Sequence, residues 1–195
     1  RTFVSGIDQS IQSFSVVPRI GGKPEIRTAI AAIPEAGSAT AINPSATPPS
    51  ATPPVDAKPA LVITLHGAGV DAIGQARAYK PKDWAYIVAP TNRRPYGFDW
   101  EDWGRLDALE VLAEASRLFR TDPARTYLTG HSMGGHGTWQ IGATGPDLWA
   151  AIAPSAGWRS FSSYGGGVVY KEPSPVEKIL ARAGSPSETE NLARN

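Results

Sequence analysis

The chain has 195 residues, 41% of them hydrophobic, enough for a single domain with its own core. Its formal net charge of +1, with no dense Lys/Arg run, gives no footprint for nucleic acid. The absence of cysteine excludes disulfides, cysteine-based metal sites and a thiol nucleophile, and three histidines without close spacing argue against a zinc centre, so neither metal nor cofactor is expected.

Residues 1–18 suggest a hairpin, with Arg1 to Ser5 extended, a turn near Gly6 to Gln9, and Ser10 to Val17 returning. Residues 19–59 are expected to be a long insertion or linker. From Gly37 to Pro59 the composition shifts to Ala, Ser, Thr and Pro, and Thr47-Pro48-Pro49 and Thr52-Pro53-Pro54 form a short imperfect repeat. The core, residues 60–195, then alternates: strand 60–65, helix near 71–79, strand 84–89, helix 104–120, strand 125–130, helix 134–144 and strand 149–155. Such alternation predicts a parallel sheet with helices on both faces. In the 104–120 helix, Leu106, Leu109, Leu112 and Phe119 fall near one stripe, which marks a core-facing helix. Ser174, with Pro175 behind it, predicts the start of a last helix running to Arg182. No segment reaches the length of a membrane span. A start at Arg1 rather than Met is compatible with loss of a secretory leader, which leaves an extracytoplasmic location open.

The chemistry concentrates in Tyr127-Leu128-Thr129-Gly130-His131-Ser132-Met133-Gly134-Gly135, an apolar strand running through Gly-x-Ser-x-Gly into a helical pattern. A serine at such a strand-to-helix turn is a candidate nucleophile, and side chains at Gly130 or Gly134 would collide with neighbouring backbone. Upstream, Ala60-Leu61-Val62-Ile63-Thr64-Leu65 reads as a buried parallel strand that stops at His66-Gly67-Ala68-Gly69. Acyl transfer builds negative charge on a carbonyl oxygen, so it needs two backbone N–H donors aimed at that point. Met133 N–H is the expected first donor and Ala68 N–H the second, with Gly67 and Gly69 as neighbours able to take its place.

At these residues the chain resembles the α/β-hydrolase superfamily, and within it the prolyl-oligopeptidase-like and esterase-like serine hydrolases. The segments that carry the resemblance are Leu65-His66-Gly67, the helix pattern from Asp102-Trp103-Gly104 to Arg120, Asp122 to Gly135, and Ala153-Pro154-Ser155-Ala156-Gly157-Trp158. The opening segment, Phe3-Val4-Ser5 to Phe14-Ser15-Val16-Val17-Pro18, is similar to a hairpin such enzymes use. The resemblance implies a triad in the order serine, acid, histidine, with both partners downstream of the nucleophile. No histidine follows within the rest of this chain after His136, which lies in the helix beneath the serine. The expectation is therefore an α/β-hydrolase fold truncated before the strands that carry the acid and the base.

The three histidines offer a poor substitute for that base. His131 adjoins Ser132, and consecutive side chains at the elbow point apart. His136 runs away beneath the nucleophile. His66 is the least ill-placed, because its strand should lie beside the nucleophile strand, but a histidine before the oxyanion glycines resembles one that orients that loop.

Tyr96, Phe98, Trp100 and Trp103 precede the 104–120 helix in a loop that should open near the C-terminal ends of the strands. Phe98, Trp100 and Trp103 are candidates to line an acyl or sugar pocket; packing of the loop onto the domain is the alternative. The reading that results is a serine hydrolase cleaving a small-molecule ester or a peptide through an acyl-enzyme, incomplete as this chain alone, with a second polypeptide as one way to complete the sheet. The alternative is a non-catalytic hydrolase-like binding or interaction module.

Overall fold

In the computed structural model, residues 11–16, 27–32, 58–80, 82–93, 99–160, 164, 172–185 and 188–192 are described. The centre of the structure is β3, Ala60–Leu65, whose near-continuous apolar run suits a strand covered on both faces. It pairs in parallel with β4, Ala85–Ala89, on one side and with β5, Thr126–His131, on the other. Beyond β5 lies β6, Ala151–Ser155, again parallel. On the β4 side the sheet continues antiparallel through β2, Arg27–Ala32, to β1, Ile11–Val16, so the order is β1-β2-β4-β3-β5-β6.

Strand β1 falls inside the expected Ser10–Val17 strand, and the proposed partner, Arg1 to Ser5, lies outside the described residues. The partner that the structure describes is β2, in register from Ile11↔Ala32 to Val16↔Arg27. Residues 27–32 therefore belong to the sheet, although they sit within the 19–59 stretch read as insertion or linker. The Arg-Thr-Ala-Ile-Ala-Ala sequence carries almost no alternation, so its state is set by pairing with strands on both sides rather than by its own pattern. The Pro-rich repeat lies outside the described residues.

Among the described residues four further segments are α-helical: α1, Ala72–Arg77; α2, Asp102–Phe119; α3, Met133–Thr144; and α4, Pro175–Gly184, with a single turn, α5, at Thr189–Leu192. Asp71 caps α1 by accepting from Gly74 N–H. The helix start expected at Ser174-Pro175 is where α4 begins, and Ser174 and Glu177 form a reciprocal capping box there.

Helix α2 departs from the expected stripe. Its most deeply buried line is Gly104, Asp107, Ala108, Val111 and Ala115, while Leu109, Leu112 and Phe119 are only partly buried at its flanks. Small residues at the contact let the helix approach closely, and the larger side chains then cover the margins. A Cβ at Gly104 would stand closer than 3.0 Å to Asn92 Oδ1 and to the Asp99 carbonyl oxygen. Phe119 stacks on Tyr86, centroids 4.3 Å apart.

The main core joins Leu61, Ile63, Leu65, Val88 and Leu128 of the sheet to α2 and α3, with Trp100 wholly buried between them. None of the helices among the described residues is long and apolar enough to cross a membrane.

Candidate active site

The strand order reverses at β3: the chain builds outward to β4 on one side and then crosses to β5 and β6 on the other. In open α/β sheets the crevice beyond the C-terminal ends of the strands at such a reversal is where ligands bind. Here Leu65 pairs with Gly130 at the ends of β3 and β5, so the loop at 66–69 and the elbow at 131–133 emerge side by side. A Cβ built on Gly67 would lie 3.5 Å from Ser132 Cβ.

Ser132 occupies φ 57°, ψ −118°, a conformation that a non-glycine residue adopts only under strain of about 1–3 kcal/mol. The surroundings hold it there. Its N–H donates to the Ser155 carbonyl at 2.9 Å, and its own carbonyl accepts from His136 N–H at 3.0 Å, opening α3. The glycines on either side follow from contact distances: a Cβ on Gly130 or Gly134 would stand closer than 3.0 Å to the Gly134 or Leu65 carbonyl respectively. The serine side chain is half-buried at the surface of the crevice, and Met133, next along, is buried.

Across the gap, Gly67 to Val70 forms a turn closed by Val70 N–H donating to the Gly67 carbonyl at 3.3 Å, with Gly69 at φ 74°. Positive φ at the third position is what such a turn demands, and it leaves Ala68 exposed beside the elbow. The residues assigned from sequence as nucleophile and amide donors, Ser132, Met133 and Ala68, are thus gathered at one end of adjacent strands.

The aromatic loop behaves differently. Trp100 is wholly buried, its indole N–H donating to the His66 carbonyl at 3.0 Å and its ring meeting His66 edge-on. It supports the loop after β3 from beneath and is not available to line a pocket. Trp103 is 55% exposed and carries the Arg93 guanidinium over its ring at 4.9 Å. Phe98 lies outside the described residues. Large aromatic area is buried wherever the chain permits, and here the permitted place is the core.

Each histidine ring has a partner other than the Ser132 hydroxyl. His66 is buried and its Nδ1–H donates to the Gly67 carbonyl at 3.0 Å, in keeping with a loop-orienting role. His131 Nδ1 meets Ser155 Oγ at 3.1 Å. His136, wholly buried, donates Nδ1–H to the Trp158 carbonyl at 2.9 Å, stacks on the Trp158 ring, and turns Nε2 towards Glu101 Oε1 at 2.8 Å and Asp99 Oδ1 at 3.4 Å. Burial opposes its charge, but the Glu101 hydrogen bond and the Asp99 carboxylate outweigh burial and raise its pKa above the ordinary value. Burial also raises the Asp99 carboxyl, partly offset by His136 and by the Trp100 N–H. Local sequence pattern does not point to this grouping, because 35 residues separate Glu101 from His136 and only the meeting of the segment before α2 with the first turn of α3 joins them.

This is the α/β-hydrolase fold, the class the sequence resembles. The fluorophosphonate-binding serine hydrolase F of Staphylococcus aureus superposes with a TM-score of 0.61 at 17% identity, over 94% of this chain and 72% of its own. An S-formylglutathione hydrolase of the same organism gives 0.58 at 17%, over 94% and 70%. The acylaminoacyl peptidase of Pyrococcus horikoshii gives 0.58 at 18%, over all of this chain and 30% of its own. In sequence, the chain is 30% identical over 121 residues to an uncharacterized secreted protein of Arthroderma benhamiae, matching 55% of this chain and spanning 13% of that protein. No protein-family model matches.

Proposed function

We propose that this chain carries the nucleophile and oxyanion half of a serine hydrolase that cleaves carboxylic esters or peptide bonds through an acyl-enzyme. The observation that carries the reading is the strained backbone of Ser132, held at the end of β5 by glycine contacts that leave no other residue type room. Ser132 Oγ attacks the acyl carbon, and the Met133 and Ala68 amides receive the oxyanion. The general base and its acid are expected in polypeptide outside these 195 residues, because among the described residues no histidine nitrogen is hydrogen-bonded to the Ser132 hydroxyl: His66 Nδ1, His131 Nδ1 and both His136 nitrogens have other partners, and His66 Nε2 is buried without one. Burial of Trp100 removes the main support for an aryl- or sugar-ester pocket, so the substrate class stays at ester or peptide.

The test is labelling by a fluorophosphonate probe, followed by intact mass, on the protein at its natural length and on the 195-residue chain. Stoichiometric labelling of the former, abolished by Ser132→Ala, is expected. The isolated chain should label at least a thousandfold more slowly, because a serine without its base loses roughly that much or more. A folded natural-length protein that does not label at all would favour the other reading, a hydrolase-like module that binds a ligand without turning it over.

A further inference from the structure

Two N–H groups serve an oxyanion only if both stand about 2.7–3.1 Å from one point, so their separation has to be held. The Met133 and Ala68 amides belong to different segments, the start of α3 and the loop after β3. The direction of the Ala68 N–H is set through its own peptide group. A planar trans peptide points its N–H away from its C=O, so whatever holds the Gly67 carbonyl aims the Ala68 N–H. Two donors hold it, His66 Nδ1–H at 3.0 Å and Val70 N–H at 3.3 Å. The carbonyl before it, that of His66, is held in turn by Trp100 Nε1–H at 3.0 Å.

Residues 99 and 100 reach the other amide as well. Asp99 N–H donates to Met133 Sδ at 3.0 Å. A Cβ on Gly137, one turn along α3 from Met133, would stand closer than 3.0 Å to Trp100 Cβ. One dipeptide therefore bears on both halves of the proposed oxyanion hole. It is itself firmly fixed. Trp100 N–H donates to Asp99 Oδ1 at 2.6 Å, and Asn92 Nδ2–H donates to the Asp99 carbonyl at 2.5 Å, a hydrogen bond across seven residues. Asn92 and Asp99 are both buried, and both stand at positive φ, 55° and 65°. Two strained residues joined through a side chain persist only where the surroundings over-determine them, and such strain gathers at functional sites.

We infer that Trp100 and Asn92 are positioning residues of the oxyanion hole: Trp100 bridges α3 and the His66 carbonyl and so sets the separation of the Met133 and Ala68 amides, and Asn92 holds the Asp99–Trp100 backbone in place. The inference rests on the serine-hydrolase reading of Ser132. Both residues act through the two amides, so their contribution falls on the transition state, where charge has moved onto the oxygen. Removing an oxyanion donor outright costs about 10²–10³ in kcat, and displacing one should cost about tenfold.

The experiment measures hydrolysis of p-nitrophenyl acetate by the protein at its natural length. Trp100→Phe removes the indole N–H and keeps an aromatic ring; Asn92→Gly removes the amide and tolerates the positive φ. Each should lower kcat about tenfold, with KM within about twofold and the pH profile unchanged. Trp149→Phe is the control: Trp149 is buried too, but its Nε1 has no hydrogen-bond partner among the described residues, so kcat should hold. Asn92→Gly should also move the amide ¹H–¹⁵N signals of Ala68 and Met133, with no loss of an aromatic ring to account for the change. A kcat within twofold of wild type in both variants, a raised KM at unchanged kcat, or Ala68 and Met133 signals that do not move would each overturn the inference. A wild-type protein that neither reacts with fluorophosphonate nor hydrolyses the ester would overturn the serine-hydrolase reading instead, and the amide signals alone would then decide whether Asn92 sets the two donors.

Discussion

At the scale of single residues, the elbow is a place where the backbone is forced and the side chains are chosen to permit it. Ser132 stores strain that glycine does not feel. Ser132→Gly is therefore expected to be more stable than Ser132→Ala by about 1 kcal/mol in urea unfolding, although both lose the hydroxyl. Equal stabilities would mean that the backbone there is not strained. Gly134→Ala places a methyl group against the Leu65 carbonyl, and neither that strand nor α3 can retreat without opening the core. A loss of about 3 kcal/mol or more, or failure to fold, is expected. Gly184→Ala provides the contrast: nothing lies within 4 Å of a Cβ there, so the change should be neutral or slightly stabilising in the same assay.

At the scale of elements, α2 and α4 give opposite lessons. The buried line of α2 is built from small residues, so Ala108→Leu should cost about 1–3 kcal/mol through overpacking, despite being the more hydrophobic choice. Helix α4 is exposed along its length and depends on its cap. Ser174→Ala should cost its first turn about 1 kcal/mol, seen as faster amide exchange confined to that helix. The same contrast explains how much could be read from sequence. Strands β3 to β6, α3 and the α4 cap were legible because pattern and turn chemistry agree locally, as in Gly130-His131-Ser132-Met133-Gly134 and Ser174-Pro175. Strand β2 was not, since six residues with three alanines say nothing until two partner strands claim them. The face of α2 was misjudged because periodicity reports where large side chains are, whereas close approach is decided by where they are not. Asp99, Glu101 and His136 were out of reach for a third reason: their meeting depends on the crossover, which no local pattern encodes.

At the scale of the whole molecule, the sheet order places β3 and β5 together at the point where the winding changes direction, and everything proposed for the elbow depends on that adjacency. Trp100 is the residue through which this adjacency is felt elsewhere. Its ring fills the space above Gly137 of α3 while its N–H holds the carbonyl of His66 after β3. Of the six tryptophans in the chain, this one is both free of solvent and bonded through its nitrogen to the site's own loop. Its indole proton should therefore be the slowest of the six to exchange with deuterium, and its rate should follow the opening of the crevice rather than the fraying of the ends. That makes one NMR signal a gauge of whether the two strand ends remain side by side, in any variant and without a substrate.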